Sequence, residues 1–266
     1  MGALRQIVVA PQVNRSHPFA NNLQFLFVAQ PGIPQPPDVA KNRRLTTIVS
    51  GSAALDSGVF LGLKDPRIEY AGVTSALWPI CMFALYKPSV VGLNWDSILD
   101  TNGNSATDGF ILYQTTGNAA VPGMYAHAAG GSFDVTGATQ TVGRWYSVAI
   151  TKRASNDWVG AVRDQATGTT TVVTSSASNV TEQAAGTTVR VGNSNFAGEE
   201  MSGSVSMAGF TRSRLTNQQL IDWVLNPFGL LIPPDSGGIY RPPPAAVYYD
   251  QEGVKPWSSV WRPGRI

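Results

Sequence analysis

The groups in this chain that could do chemistry are carboxylates, two imidazoles and hydroxyl-rich loops, and they are scattered. Glycoside hydrolysis needs two carboxyls facing each other across a cleft, about 5 to 9 Å apart, with one held protonated. The adjacent pair is Glu199 and Glu200. Consecutive strand residues point to opposite faces, so this pair reads as a solvated loop. Asp96 and Asp100 are better spaced and are expected in turns on either side of Ser97 to Leu99. His17 sits in a proline-flanked segment and His127 at a strand end, and neither has the spacing of a metal-ligand set. Asp100 and the following TNGNSATD, with Asn102, Asn104 and Asp108, form the one acidic-amide cluster. It reads as a polar turn capping its own backbone, with calcium as the alternative. There is no G-x-S-x-G elbow, and Gly130-Gly131 lacks the lysine or helix of a phosphate cradle. No catalytic residue, cofactor or metal is assigned. For stacking on a sugar the candidates are Trp95, Trp145 and Trp158, although a tryptophan in a β-sandwich more often belongs to the core.

The elements that must position these groups are short strands. Leu23 to Val28 opens the series, and the proline-rich Gln30 to Val39 must be a loop. Short candidates follow at Leu45 to Val49, Ala53 to Leu55, Val59 to Leu63, Ser97 to Leu99, Phe110 to Gln114 and Met124 to His127. Ala76 to Tyr86 is apolar on both faces, with Ile80, Met82, Ala84 and Tyr86 opposed to Cys81, Phe83 and Leu85. Such a strand belongs near the middle of a sandwich or beneath a helix. Trp145 to Thr151 alternates cleanly and pairs as a hairpin with Trp158 to Arg163. Thr169 to Thr174 and Thr187 to Gly192 are β-branched runs.

The strongest local signals lie between Met201 and Pro234. Ser202 to Thr211 reads as a strand with Val205 and Met207 on one side, and its phase slips near Gly209 through a bulge or a loop. Thr216 and Gln219 form a capping box, Leu215 and Leu220 a hydrophobic staple, and Leu220, Ile221, Trp223 and Val224 an apolar stripe that ends before Pro227. Many short strands with one late helix predict an antiparallel sandwich, because parallel crossovers would require repeated helices.

Only 14% of the 266 residues are charged and the formal charge is +2, which gives little field to steer nucleic acid. Lys41, Arg43 and Arg44 read as a solvated turn. Cys81 is the single cysteine, so it is expected to be a buried small hydrophobe, and no intrachain disulfide or thiolate zinc site can form. No run reaches membrane-spanning length and no stretch has the basic-then-apolar pattern of a signal peptide, so neither membrane insertion nor standard export is expected. The chain divides into an N-terminal arm at 1–22, a domain at 23–234 and a Pro/aromatic-rich C-terminal arm at 235–266. The last carries Tyr240, Tyr248, Tyr249, Trp257 and Trp261. Either it folds back over the domain or its aromatics anchor in a neighbour.

The order of these segments resembles the concanavalin A-like lectin/glucanase superfamily, in particular LamG-like jelly-roll proteins of bacteriophages and prophages. The resemblance rests on the WYSVAIT strand at Trp145 to Thr151, on TVRVG at Thr188 to Gly192, and above all on Ser202 to Pro227 with its strand, R-x-L-T cap and short helix. It implies an all-β, concanavalin A-like jelly-roll sandwich of two antiparallel sheets with one short C-terminal helix and extended terminal arms. The glucanase E-x-D-x-x-E strand is absent, and Asp164 is followed by Gln165 where many relatives have an Asp-Gly turn. The expected function is therefore a non-enzymatic virion structural protein, a capsid decoration or other particle-surface subunit assembled in the host cytoplasm. Its partners would be major capsid or tail/baseplate proteins and copies of itself, held by the five arm aromatics. The alternative is a tail-associated adhesin that binds a host surface glycan on the same lectin-like fold.

Overall fold

The computed structural model describes residues 11–30, 33, 36–41, 47–49, 52–55, 58–61, 67–75, 79–90, 96–101, 109–115, 120–126, 131–176, 186–193 and 201–232. The strands begin with β1 (Gln12–Val13), β2 (Leu23–Val28), β3 (Thr47–Val49), β4 (Ser52–Leu55), β5 (Gly58–Leu61) and β6 (Arg67–Ser75). Next come β7 (Ile80–Pro88), β8 (Asp96–Asp100), β9 (Phe110–Gln114), β10 (Pro122–Ala126) and β11 (Gly131–Asp134). Then follow β12 (Tyr146–Ala154), β13 (Asp157–Asp164), β14 (Thr170–Ser175), β15 (Gly186–Val191) and β16 (Gly203–Thr211). Helix α1 (Asn217–Leu225), β17 (Leu231–Ile232) and two 3-10 turns, Pro18–Ala20 and Pro227–Leu230, complete the described elements.

Two antiparallel sheets stack face to face. One has seven strands in the order β11-β10-β9-β8-β15-β6-β3; the other has eight, β14-β13-β12-β7-β16-β5-β4, with β2 also on β16. Between them lies the main core, where Ile80, Met82, Ala84 and Tyr86 of β7 and Tyr146, Val148 and Ile150 of β12 meet Ile68, Leu99, Leu112 and Val189 of the facing sheet. The opposite sides of the same strands, Cys81, Phe83, Leu85 and Ala149, form a second core under α1. The two-faced apolar pattern of β7 thus has both expected causes at once: it lies mid-sandwich and also beneath the helix. Burial pushes the Cys81 thiol pKa well up, as suits an inert core cysteine.

β16 shows how sequence irregularity becomes topology. Its far edge is shared, with Gly203 to Val205 pairing β5 and Met207 to Thr211 pairing β2. At the handover the register against β7 shifts between Val205 and Met207, and the Ser206 carbonyl accepts from Ala29 N–H at 2.8 Å. Val205 therefore enters the inter-sheet core and Met207 the helix-side core. This corrects two expectations: Val205 and Met207 do not share a face, and the phase slip sits at Ser206, not Gly209. Gly209 is glycine for another reason, since a Cβ there would lie 2.6 Å from the Phe25 carbonyl oxygen and 2.7 Å from the Phe83 ring.

Helix α1 begins and ends as its sequence requires. The Thr216 hydroxyl accepts from Gln219 N–H at 3.2 Å while the Gln219 side chain accepts from Thr216 N–H at 2.9 Å, an arrangement worth about 1 kcal/mol. At the other end the Val224 carbonyl accepts from Ser147 Oγ at 2.6 Å and Gln165 Nε2 at 3.0 Å, tying the last turn to the sheet. Trp223 is fully buried between Phe19, at a ring separation of 5.4 Å, and Phe83, at 5.0 Å. Phe19 belongs to residues 11–22, and β1 there pairs with β17, so this segment packs against the helix side of the sandwich. Residues 233–266, including all five aromatic anchors, lie outside the described residues.

Candidate functional site

The outer face of the seven-stranded sheet carries two organised rows of mostly polar side chains. Strand alternation sends Ile68, Tyr70, Leu112, Met124, Phe133, Val189 and Val191 inward, so their neighbours must point outward. Cross-strand register then lines these neighbours up. Ser132 is opposite Tyr125, Tyr125 opposite Ile111, Ile111 opposite Asp100, Asp100 opposite Arg190, and Arg190 opposite Glu69. A second row runs Asp134, Gly123, Tyr113, Ser97. A bulge between Ser97 and Leu99 turns both Ile98 and Leu99 into the core and keeps Ser97 and Asp100 on the outer side.

Two charge-assisted clusters hold these rows rigid. Arg190, 2% exposed, donates from Nε to Glu69 Oε1 at 2.7 Å and sets Nη1 3.9 Å from Asp100 Oδ2. The Tyr113 hydroxyl donates to Asp134 Oδ1 at 2.5 Å, and its pKa is raised by burial and by that bond. Gly123 leaves the room for this contact: a Cβ there would stand 2.4 Å from Asp134 Oδ1 and 2.6 Å from the Tyr113 ring. The centre of the face is closed and its β11 end is open, with Ser132 exposed and Tyr125 and Asp134 half-buried. The buried Ser97 hydroxyl finds no partner among the described residues.

Of the residues singled out from sequence, Asp96 and Asp100 are not in turns. They are the ends of β8, at 3% and 0% exposure, because the strand extends one residue beyond Ser97 to Leu99 at each side. They also take opposite faces. Asp100 joins Arg190, while Asp96 faces inward, 3.5 Å from Gln114 Nε2. Trp145 and Trp158 are core residues, at 4% and 0% exposure, and Trp158 stacks on Phe133 at 5.7 Å. His17 accepts from Phe19 N–H and caps a short 3-10 turn; burial lowers its pKa, partly offset by Asp222. Glu199, Glu200, His127, Trp95 and residues 102–108 lie outside the described residues. Sequence reasoning missed Tyr113, Tyr125, Asp134, Glu69 and Arg190. The alternation of RIEY and TVRV, each with a charge between apolar neighbours, was the available signal for the last two.

Lys152 is buried on the eight-stranded sheet, its Nζ 4.2 Å above the Trp158 ring and donating to the Ser155 carbonyl at 2.8 Å. Burial pulls its pKa down to about 8, against a smaller upward effect of Asp157. The folded state then binds fewer protons than the unfolded one above that value. Stability gains from this residue as pH rises from about 8 towards the ordinary lysine value near 10.5. Thermal unfolding of wild type and Lys152→Met across pH 7 to 11 should show a rise in wild type that the variant lacks.

No protein-family model matches the chain, and no curated protein matches it. Solved structures do. Domain 4 of AbnA, an extracellular arabinanase from Geobacillus stearothermophilus in complex with arabinotriose, is 13% identical with a TM-score of 0.56; the match covers 76% of this chain and 98% of that domain. A Trypanosoma rangeli sialidase is 12% identical with a TM-score of 0.52 over 77% of this chain and 32% of its own. A SAP-like pentraxin from Limulus polyphemus is 18% identical with a TM-score of 0.47 over 65% and 84%. The fold is thus an all-β, two-sheet jelly-roll sandwich.

Proposed function

We propose that this chain is a non-catalytic carbohydrate-binding domain that engages a glycan at the open β10–β11 end of the outer face of the seven-stranded sheet. The observation that carries this is the open β11 end of that face, where Ser132 is exposed and Tyr125 and Asp134 are half-buried, so an aromatic ring stands beside a carboxylate that the Tyr113 hydroxyl holds in place. Sugar recognition asks for this combination: an apolar ring for the C–H face, and polar groups preset for hydroxyls. The arabinotriose complex of the similar arabinanase domain supports it, since that domain has this fold and holds a sugar. Catalysis is disfavoured because the Arg190 guanidinium stands between the two carboxylates of the row, on the strand separating theirs, where a glycosidase needs its scissile bond. Tyr125→Ala, at a half-buried position, should weaken glycan binding by about tenfold or more while lowering the unfolding midpoint only slightly. Titration of a panel of neutral and acidic polysaccharides tests it. Equal affinity of variant and wild type for a bound glycan removes Tyr125 from the site.

A particle-borne setting is the second proposal, favoured by the five aromatics of residues 235–266. There the domain would be a virion subunit or tail-associated adhesin, with Tyr240, Tyr248, Tyr249, Trp257 and Trp261 as anchors in neighbouring virion proteins. Deleting 235–266 should leave a folded, glycan-binding domain that no longer enters particles. Normal incorporation of the truncated protein would eliminate the arm mechanism.

A further inference from the structure

A cleft of about 240 Å³ opens on the side of the sandwich, between the 137–144 segment and the β13–β14 hairpin. It shares no lining residue with the outer face of the seven-stranded sheet. Its base is apolar, made by Ala138, Val162 and the Tyr146 side chain, all nearly inaccessible to solvent. Its walls carry the hydroxyls of Thr139, Thr169 and Thr171. At one end Arg144 Nη1 donates to Asp164 Oδ2 at 3.1 Å.

This end is built to stay in place. Asp164 Oδ1 accepts from Ala166 N–H at 2.8 Å and Thr167 N–H at 3.2 Å, closing the turn between β13 and β14 even though Gln165 replaces the Asp-Gly pattern. On the facing side, Tyr146 Oη accepts from Thr141 N–H at 2.7 Å, and the Pro88 carbonyl accepts from Gly143 N–H at 2.8 Å. Arg144 is 42% exposed and spends only Nη1 on Asp164 among the described contacts, so Nη2 and Nε remain available to donate. The Thr139 and Thr171 hydroxyls likewise have no partner among the described residues.

We propose that this cleft binds one neutral, hydroxyl-rich ring, a single sugar residue, independently of the sheet face. A vicinal diol can accept from the free Arg144 N–H groups and donate to Asp164 Oδ2, while the apolar base meets the ring's C–H face. Asp164 and Arg144 together carry no net charge, so an anion would gain an arginine and be repelled by a carboxylate, whereas a neutral polyol satisfies both. The volume lies below the roughly 300–1,000 Å³ that houses drug-sized ligands, which suits one ring and not an oligosaccharide.

The test uses the full chain, with chemical-shift mapping during titration of neutral hexoses and pentoses, glucuronate and inorganic sulfate. A neutral sugar should shift amides within 137–146 and 162–171. Arg144→Met should weaken that binding about tenfold and the near-isosteric Thr171→Val a few-fold, while Tyr125→Ala leaves it unchanged. Thr171→Val keeps the test valid if the arginine variant folds poorly. Shifts with glucuronate or sulfate alone, shifts elsewhere only, or no saturation by any neutral sugar would each overturn the proposal. Loss of the same binding in Tyr125→Ala would also overturn it, by making the cleft part of the sheet-face site.

Discussion

Trp223→Ala should cost about 3–5 kcal/mol, a large share of the roughly 5–15 kcal/mol that holds a domain of this size together. Trp223 is fully buried, stacks on Phe19 and packs against Phe83, so its removal opens a cavity where the N-terminal segment, the helix and β7 meet. Phe19, Phe83 and Leu220 share that core and are all at 0% exposure, so these described neighbours are already packed in place. Trp223→Phe should lose much less, since the Trp223 indole N–H has no hydrogen-bond partner among the described residues and the aromatic contacts persist. Urea unfolding midpoints for the two variants check this. A loss under about 1 kcal/mol for alanine would mean that the helix is not docked as described.

Arg190→Met should also be damaging, at about 3–5 kcal/mol, because it removes a buried cation that lies within reach of both Glu69 and Asp100. The triple replacement Arg190→Met, Glu69→Leu and Asp100→Leu should recover part of that loss, since buried ion clusters often stabilise no more than apolar groups of the same shape. Because Arg190 and Asp100 are buried, any loss of glycan binding in it would come through the shape of the sheet and not through lost sugar contacts. Unfolding curves and binding titrations of the single and triple variants together separate the cluster's effect on stability from its effect on binding. A stable triple variant that still binds would assign the cluster to structure alone.

The fold was largely legible because its strands alternate against two separate cores. β2 and β9 have the limits their sequences predict, and the capping box at Thr216 places α1 to the residue. Legibility failed where glycine or a bulge breaks the period. β6 escaped notice because Gly72, at φ +73°, interrupts the alternation of RIEYAGVTS, and the ladder to β15 shifts register across the same stretch. β11 is only four residues long, and β1 is two. The candidate face was illegible for a different reason. Its members come from β6, β8, β9, β10, β11 and β15, and only cross-strand register joins Glu69 to Arg190 across 121 positions. Sequence search for paired acids found Asp100 but set it beside Asp96, which the strand turns to the other face.

The decisive measurement is hydrogen exchange on the full chain with and without a bound polysaccharide. Slowed exchange centred on β10 and β11, and lost with Tyr125→Ala, is the expected result. Slowed exchange instead at α1 and β2, with the seven-stranded sheet unchanged, would contradict the assignment of that sheet's outer face as the glycan-binding surface.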